Sequence, residues 1–136
     1  MNLPTDRIEA SLLRRALLVN ATFSGICGLL VIVFDARIVA LITDVEHHLW
    51  PLGAMLVAFS ASLLWFATRR TISSTWVTSV IIADLAWVVG TIALLVGWRD
   101  MMSVAGVWIL AIIGVLVLLF AELQWFGLRR LRKAAG

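Results

Sequence analysis

The feature that most constrains this chain is an apolar run over residues 75–98 that contains a single ionisable residue, Asp84. As a helix, a run of that length crosses the roughly 30 Å hydrocarbon core of a bilayer. An ionisable group inside a membrane span is costly, so it marks either a functional site or a contact between helices. Asp84 is therefore the first candidate site residue.

The composition of the whole chain predicts an integral membrane protein. Its 136 residues are 62% hydrophobic and 14% charged, with a mean hydropathy of +1.05, well above the apolar share of soluble domains. Four spans, at about residues 16–34, 50–68, 76–98 and 101–126, use almost the whole length. The sequence therefore predicts a single transmembrane domain over residues 1–136, with no room for a soluble catalytic domain.

The basic residues predict the orientation of these spans. Nine of the eleven Lys and Arg residues lie in the N-terminal segment, the second connection and the C-terminal tail, whereas Arg37 and Arg99 lie in the first and third connections. By the positive-inside rule, both termini face the cytosol. The net charge of +3 comes from basic residues that flank the apolar runs, which is the pattern expected from membrane orientation. No nucleic-acid partner is therefore predicted.

Residues 35–49, between the first two spans, are too charged and too few to cross a membrane. Ile38, Leu41, Ile42 and Val45 nevertheless recur on one helical face. This pattern predicts a short helix that lies in the outer interface. The predicted fold is an all-α, four-helix transmembrane bundle with this short outer interfacial helix and with both termini cytosolic.

Small residues recur at helical spacing in two of the spans, and such stripes let a neighbouring helix approach closely. The stripe of the first span is Ala21, Ser24, Gly25 and Gly28, and that of the third span is Ala86, Gly90, Ala93 and Gly97. Four helices do not need so many close approaches among themselves. We therefore expect a homo-oligomer or a larger membrane-protein partner, with membrane lipid around it.

Four residues are candidates for contact with a ligand or a proton: Asp84, Glu122, Asn20 and Trp87. Intramembrane polar side chains normally face the bundle interior, so these groups are expected to converge in the cytosolic half. The serines expected in the same cluster are Ser60, Ser62 and Ser79.

Two interpretations of Asp84 stay open. It is either a proton or cation carrier or ligand contact, or a carboxyl group that bonds to a structural neighbour such as Trp87 or Ser79. Glu122 lies closer to the membrane surface. An ion pair with Arg14, Arg15 or Arg69, whose long side chains can reach toward it, is the favoured interpretation there.

The sequence contains no constellation typical of a cofactor site or an enzyme. Cys27 is the only cysteine, which excludes an internal disulfide. On a helix, the adjacent His47 and His48 would point about 100° apart and could not hold one ion from one face. No phosphate-binding loop or nucleophile motif is present, so no metal, cofactor or enzymatic activity is predicted.

Three segments, NATFSGICGLL, IIADLAWVVG and AELQWFGLRR, resemble patterns in small four-helix bacterial inner-membrane proteins whose activity is uncharacterised. The resemblance covers most of the chain and implies a fold and a bacterial inner-membrane location, without any functional residue. The small multidrug resistance transporters are similar in length only. Their carboxylate lies in the first span, where this chain has Asn20, and their charge bias is weak.

The sequence leaves two main hypotheses for function. The first is a non-enzymatic membrane protein, an accessory, assembly or lipid-contacting module that acts through helix–helix contacts. The alternative is a small proton- or cation-coupled transporter that uses Asp84 with Glu122. An enzyme ranks last, because the nucleophile, the metal ligands and the phosphate site are all missing.

Overall fold

The computed structural model describes the backbone of residues 4–136, with the side chains of residue 8 and of residues 10–136. The helices are α1 Pro4–Val33, α2 Asp35–Ile42, α3 Trp50–Ala67, α4 Ser74–Gly97 and α5 Val104–Ala135, with a 3-10 turn at Arg99–Met101. Over this range no strand forms, and an isolated bridge joins Thr43 to Met102. The protein is all-α.

Four helices are long and apolar enough to cross a membrane: α1 from Ala10, and the whole of α3, α4 and α5. This confirms the predicted number of spans. Two helices are longer than predicted, since α1 begins at Pro4 and α5 continues to Ala135. The extensions are held by packing, because Leu13 of α1 and Leu128 of α5 are both buried in one core.

The helices pack in the order α3, α1, α5, α4. The most extensive contact is that of α1 with α3, followed by α4 with α5 and α1 with α5. The backbones of α3 and α4 approach each other little, although the rings of Phe66 and Trp76 stack 4.4 Å apart where the two helices are connected. Helices α1 and α5 therefore form the middle of the bundle.

Burial is concentrated at one end. We refer to the end that holds the start of α1 and the end of α5 as the termini end, and to the opposite end as the α2 end. All four long helices contribute buried apolar side chains to one core at the termini end. These are Leu13, Leu17, Ala21, Leu63, Ala67, Val77, Val80, Ile81, Ala121 and Leu128.

Hydrogen bonds, rather than a large core, hold the α2 end together. The backbone N–H of Ser103 donates to the carbonyl of Ile42 at 2.9 Å, and Thr43 Oγ1 donates to the carbonyl of Met101 at 2.7 Å. These bonds keep Thr43 in extended conformation, with φ −150° and ψ 154°. The helix predicted over residues 35–49 therefore ends at Ile42.

Asp35 joins the start of α2 to the start of α3. Its Oδ1 accepts the backbone N–H of Leu49 at 2.6 Å, and its Oδ2 accepts His48 Nδ1 at 3.0 Å. These two hydrogen bonds, of which that from His48 has the larger effect, lower the pKa of the Asp35 carboxyl below its ordinary value. A single carboxylate thus closes the connection between the two helices.

Candidate functional site

One face of α4 points into the bundle and carries Asp84. The buried residues of that face are Val77, Val80, Ile81, Asp84 and Thr91, at the spacing of a helix that packs on its neighbours. Asp84 is only 4% exposed. It lies about 15 Å along the helix axis from Ser74, so it is deep within the apolar length of α4.

Side chains from two other helices donate to Asp84. Asn20 of α1 donates from Nδ2 to Asp84 Oδ2 at 2.8 Å, and Gln124 of α5 donates from Nε2 to the same oxygen at 3.2 Å. Behind them, Ser24 Oγ donates to Asn20 Oδ1 at 3.1 Å. We refer to Asp84, Asn20, Gln124 and Ser24 as the polar cluster. Hydrogen bonds to a carboxyl are strong in an apolar medium, so the cluster fixes the rotation of α1, α4 and α5.

Two buried polar atoms, one in the polar cluster and one on α4 a turn further along from Asp84, have no hydrogen-bond partner among the described residues. They are Gln124 Oε1, an acceptor, and Trp87 Nε1, a donor. Gln124 is completely buried. A buried polar atom without a partner costs about 1–3 kcal/mol, so these atoms are the part of the site with free capacity for another polar group.

The partners of Asp84 differ from those predicted. Neither Trp87 nor Ser79 bonds to it, since Trp87 Nε1 is unpartnered and Ser79 Oγ donates to the carbonyl of Thr75 at 3.1 Å. Ser62 likewise donates to a carbonyl of its own helix, that of Phe59. Serines within a helix often bond in this way, which removes them from the polar cluster.

Ser60 contributes to a helix contact instead of to the polar cluster. Its hydroxyl is buried and donates to the backbone carbonyl of Ala21 at 2.6 Å. This bond joins α3 to α1, which is the pair of helices with the most extensive contact.

Glu122 lies outside the polar cluster. Its side chain is exposed, and it forms no ion pair with Arg14, Arg15 or Arg69 within the described part of the chain. Arg14 donates to the carbonyls of Ala67 and Arg69, and the Arg69 guanidinium lies 4.4 Å from the centre of the Trp65 ring. Arg14 and Arg69 therefore contact the end of α3 and the α3–α4 connection, and they do not pair with Glu122.

Gln124 is the residue of the cluster that the sequence did not single out. Its position two residues after Glu122 places the two side chains on different sides of α5, and only Gln124 faces inward. The signal was present in the apolar pattern, because Val117, Phe120, Ala121, Gln124 and Leu128 share the buried face of α5.

The stripe of α1 forms a close contact with α3 that we refer to as the glycine seam: Gly25, Gly28 and Gly53. A Cβ on Gly28 would lie 2.8 Å from the carbonyl oxygen of Gly53, and one on Gly53 would lie 2.8 Å from that of Gly28. A Cβ on Gly25 would lie 2.7 Å from Ser60 Oγ. Ala21 and Ser24 of the same stripe are also buried. The stripe of α1 therefore packs against another helix of the same chain.

The stripe of α4 is placed in the opposite way. Ala86, Gly90, Ala93 and Gly97 are all exposed, and a Cβ on Gly90 or Gly97 would meet no atom within 4 Å. At 3.6 residues per turn they point roughly 180–240° away from Asp84. Ser79 and Ala83 extend the same exposed row. We refer to these six residues as the α4 small face.

No metal centre is assembled in the described residues. Over that range no group of three or more His, Cys, Asp and Glu side chains could hold an ion. His48 bonds to Asp35, and His47 bonds to the neighbouring carbonyl of Glu46. On a helix, the four-residue spacing of Asp44 and His48 would place them on one face, but both residues follow the end of α2.

The fold and its surface define a helical, multi-pass membrane protein, because large apolar side chains are exposed along all four long helices. Comparison with protein-family models, with curated proteins and with solved structures finds no match for this chain. The geometry of the polar cluster and of the α4 small face is therefore the basis for a functional proposal.

Proposed function

We propose that this protein is a non-enzymatic accessory or assembly module that acts through helix–helix contacts in the membrane. The observation that supports this function is the α4 small face. Of the nine glycines, six would bring a Cβ to within 3.4 Å of another part of the fold. Gly90 and Gly97 are the two helical glycines outside that group that lie within a span.

The spacing of the α4 small face fits a partner helix. Ser79, Ala83, Ala86, Gly90, Ala93 and Gly97 alternate between four- and three-residue steps. This is the heptad repeat that keeps one face against a partner in a left-handed helix pair. Small side chains let two backbones approach closely, and close packing drives helix association in lipid.

The rest of the exposed α4 surface carries large side chains, unlike the α4 small face. Ile82, Val89, Ile92 and Val96 are large, exposed and suited to contact with lipid chains. The row of small residues beside them leaves open space in which the backbone of a second helix can approach closely. The partner is a helix of a second copy of this chain or of a larger membrane protein.

The orientation that we propose has both termini in the cytosol of a bacterial inner membrane, with α2 in the outer interface. Nine of the eleven basic residues lie at the termini end, which supports this orientation. The exposed Trp50 and Trp98 lie at one end and Trp65 and Trp125 at the other, as in interfacial belts. Periplasmic reporter fusions at Gly136 should be inactive and those within residues 43–48 active, and the reverse pattern would refute the orientation.

Disulfide crosslinking tests the helix partner. In a background with Cys27 replaced by Ser, we compare Gly90→Cys with Val89→Cys in native membranes. Both positions are exposed and lie at the same depth, but their side chains point about 100° apart. We expect Gly90→Cys to crosslink strongly and Val89→Cys to crosslink weakly.

The mass of the crosslinked product identifies the partner. A product of twice the chain mass supports a homo-oligomer, and a product of another mass, formed with a cysteine of a different protein, supports a larger membrane complex. Equal crosslinking at both positions would show chance collisions between chains and would refute the proposal. Gly90→Leu, in which the face is filled, should abolish association while the monomer stays folded.

The alternative function, a proton- or cation-coupled transporter, is favoured by one observation. Asp84 lies deep in a span and accepts a hydrogen bond from Gln124, whose Oε1 has no partner, and Trp87, one turn further along α4, has an unpartnered Nε1. If Asp84 carries a proton or a cation, Asp84→Asn should abolish transport or ligand-linked proton release and leave the fold intact. If Asp84 serves the structure, Asp84→Asn should associate with the same partner as the wild type.

A further inference from the structure

The end of α5 forms a second site, distant from the polar cluster. A groove of about 350 Å³ is lined by Trp125, Leu128, Arg129, Arg132 and Lys133. Their spacing of three and four residues places them along one side of the helix. The described residues that line the groove include no carboxylate. Three cationic side chains therefore share one concave surface.

Neutral partners hold two of these cations in place. The Arg129 guanidinium lies 5.2 Å from the centre of the Trp125 ring, and Arg132 Nη2 donates to Thr78 Oγ1 at 3.1 Å. Neither contact neutralises a charge. A guanidinium has five N–H donors, so both arginines keep donors for an anion, and Lys133 adds a third positive charge.

The depth of the groove matches the headgroup layer of a bilayer. Phe126 is the last large apolar residue exposed on α5, and Arg129 and Lys133 follow it by about 4.5 Å and about 10.5 Å along the helix. The headgroup layer on each side of the hydrocarbon core is about 5–7 Å thick, so Arg129 lies within it and Lys133 follows just beyond it. The long side chain of Lys133 can reach back into the layer. The exposed ring of Trp125 is typical of a residue at this interface.

Membrane orientation alone does not require this arrangement. The positive-inside rule depends on the number of basic residues near a span and not on their convergence. Arg15 and Arg70 add the same charge at the termini end without lining the groove. They are therefore a natural control for the effect of charge.

We propose that this groove binds the phosphate of an anionic phospholipid headgroup. Arg129, Arg132 and Lys133 contact the phosphate oxygens, and Trp125 packs against the glycerol and the first methylenes of the acyl chains. The site does not depend on the helix partner proposed for α4, which lies on another helix. In the proposed orientation the lipid belongs to the cytosolic leaflet.

Native mass spectrometry of the full-length protein in mild detergent tests the site. The probes are phosphatidylglycerol, phosphatidylcholine with the same acyl chains, and inorganic phosphate. We expect one molecule of phosphatidylglycerol to remain bound under conditions that remove phosphatidylcholine. Equal retention of the two lipids would refute the proposal. Displacement of phosphatidylglycerol by inorganic phosphate at an equal concentration would show a soluble phosphate site and refute the lipid.

Two charge-matched double variants test whether the groove itself is responsible. Arg129→Gln with Lys133→Gln removes two charges from the groove and keeps the contact between Arg132 and Thr78. Each basic group near an anionic headgroup contributes about fivefold in affinity, so binding should fall roughly twentyfold or more. Arg15→Gln with Arg70→Gln removes the same charge elsewhere and should change binding less than about threefold.

Thermal unfolding of both double variants is the control for folding. Wild-type midpoints together with lost lipid binding in the groove variant alone support the proposal. An equal loss of binding in both variants would show general electrostatic attraction and would refute it. If the groove variant is unstable, Lys133→Gln alone, which removes no described contact, should still weaken binding about fivefold.

Discussion

The small-residue stripe of α1, which forms the glycine seam with α3, and the α4 small face have similar patterns and opposite surroundings. In the seam, a Cβ on Gly28 would lie 2.8 Å from the Gly53 carbonyl oxygen, whereas on α4 a Cβ on Gly90 would meet nothing within 4 Å. Both are small residues at helical spacing. The comparison shows that such spacing permits a close approach but does not determine which helix makes it.

Opposing residues explain the difference. Gly28 faces another glycine, Gly53, so that the backbones of α1 and α3 can touch, and Ser60 Oγ completes the contact with a bond to the Ala21 carbonyl. On α4, the polar cluster turns Asp84 inward. The small residues on the opposite side must then face the surroundings of the bundle.

The strongest test of the comparison is Gly28→Leu beside Gly90→Leu. A side chain at Gly28 meets a backbone carbonyl, which no rotamer change can move, and overpacking of this kind costs about 3 kcal/mol. We expect Gly28→Leu to lower the unfolding midpoint in detergent markedly and Gly90→Leu not to lower it. Similar losses in the two variants would show that the two rows do not differ.

Asp84→Leu tests whether the inner side of α4 determines which way its small face points. It leaves the donors of Asn20 and Gln124 without an acceptor, at about 1 kcal/mol each, so stability should fall by about 2 kcal/mol. Without this anchor, α4 can rotate, and the crosslink at Gly90→Cys should weaken. Asp84→Asn is the control, because its amide oxygen can still accept both bonds. Unfolding in denaturant measures stability, and an unchanged midpoint for Asp84→Leu would contradict a structural role.

Gly90→Ala should change stability in the opposite direction. Open space surrounds Gly90, and alanine restricts the unfolded chain more than glycine does. The free energy of unfolding of the monomer should therefore rise by about 0.5 kcal/mol. Gly28→Ala is the matched control and should lower it, because its Cβ meets the Gly53 carbonyl. A loss of stability in Gly90→Ala would place that face against another part of the chain.

The smallest effect concerns Asp35, which holds the start of α3 and hence one end of the helix that carries Gly53. Its bonds to His48 and Leu49 lower its pKa in the folded state below the ordinary value of 3.8. The sign follows from the lower folded pKa: the stabilisation is complete above pH 3.8 and is lost as the pH falls through the folded value.

Unfolding midpoints of the wild type and of Asp35→Asn from about pH 6 to about pH 3 measure this contribution. We expect a small advantage for the wild type near neutral pH that shrinks toward the acid end. Asp44→Asn serves as the control, since that carboxylate has no described bond to α3. A constant difference across the range would show that the charge of Asp35 does not stabilise the connection.

The fold could be predicted from the sequence where hydropathy decides it. Apolar runs fixed the four spans, and the starts of α3 and α4 lie within two residues of the predicted positions. The extensions of α1 and α5 and the end of α2 could not be predicted in this way. They depend on the burial of Leu13 with Leu128 and on the bond from Thr43 to Met101, which are contacts between distant parts of the chain.

The candidate site was predictable in part. Asp84 and Asn20 stand out as polar residues within spans, and the structure brings them to 2.8 Å. Gln124 and Glu122 are two residues apart near the end of a span, so their depth in the membrane does not show which of them belongs to the site. The buried residues of α5 mark one face of the helix, and only that face shows that Gln124 points inward and Glu122 points outward.

The polar cluster also has a consequence for the order in which the protein is made. The two donors to Asp84 lie 64 residues before it and 40 residues after it in the chain. Because the chain leaves the ribosome from its N-terminus, α4 enters the membrane after α1, which carries Asn20, and before α5, which carries Gln124. The acid stays incompletely satisfied until α5 inserts and closes the bundle. Insertion of the last span therefore completes the hydrogen bonding of Asp84 and, with it, the packing of α1, α4 and α5.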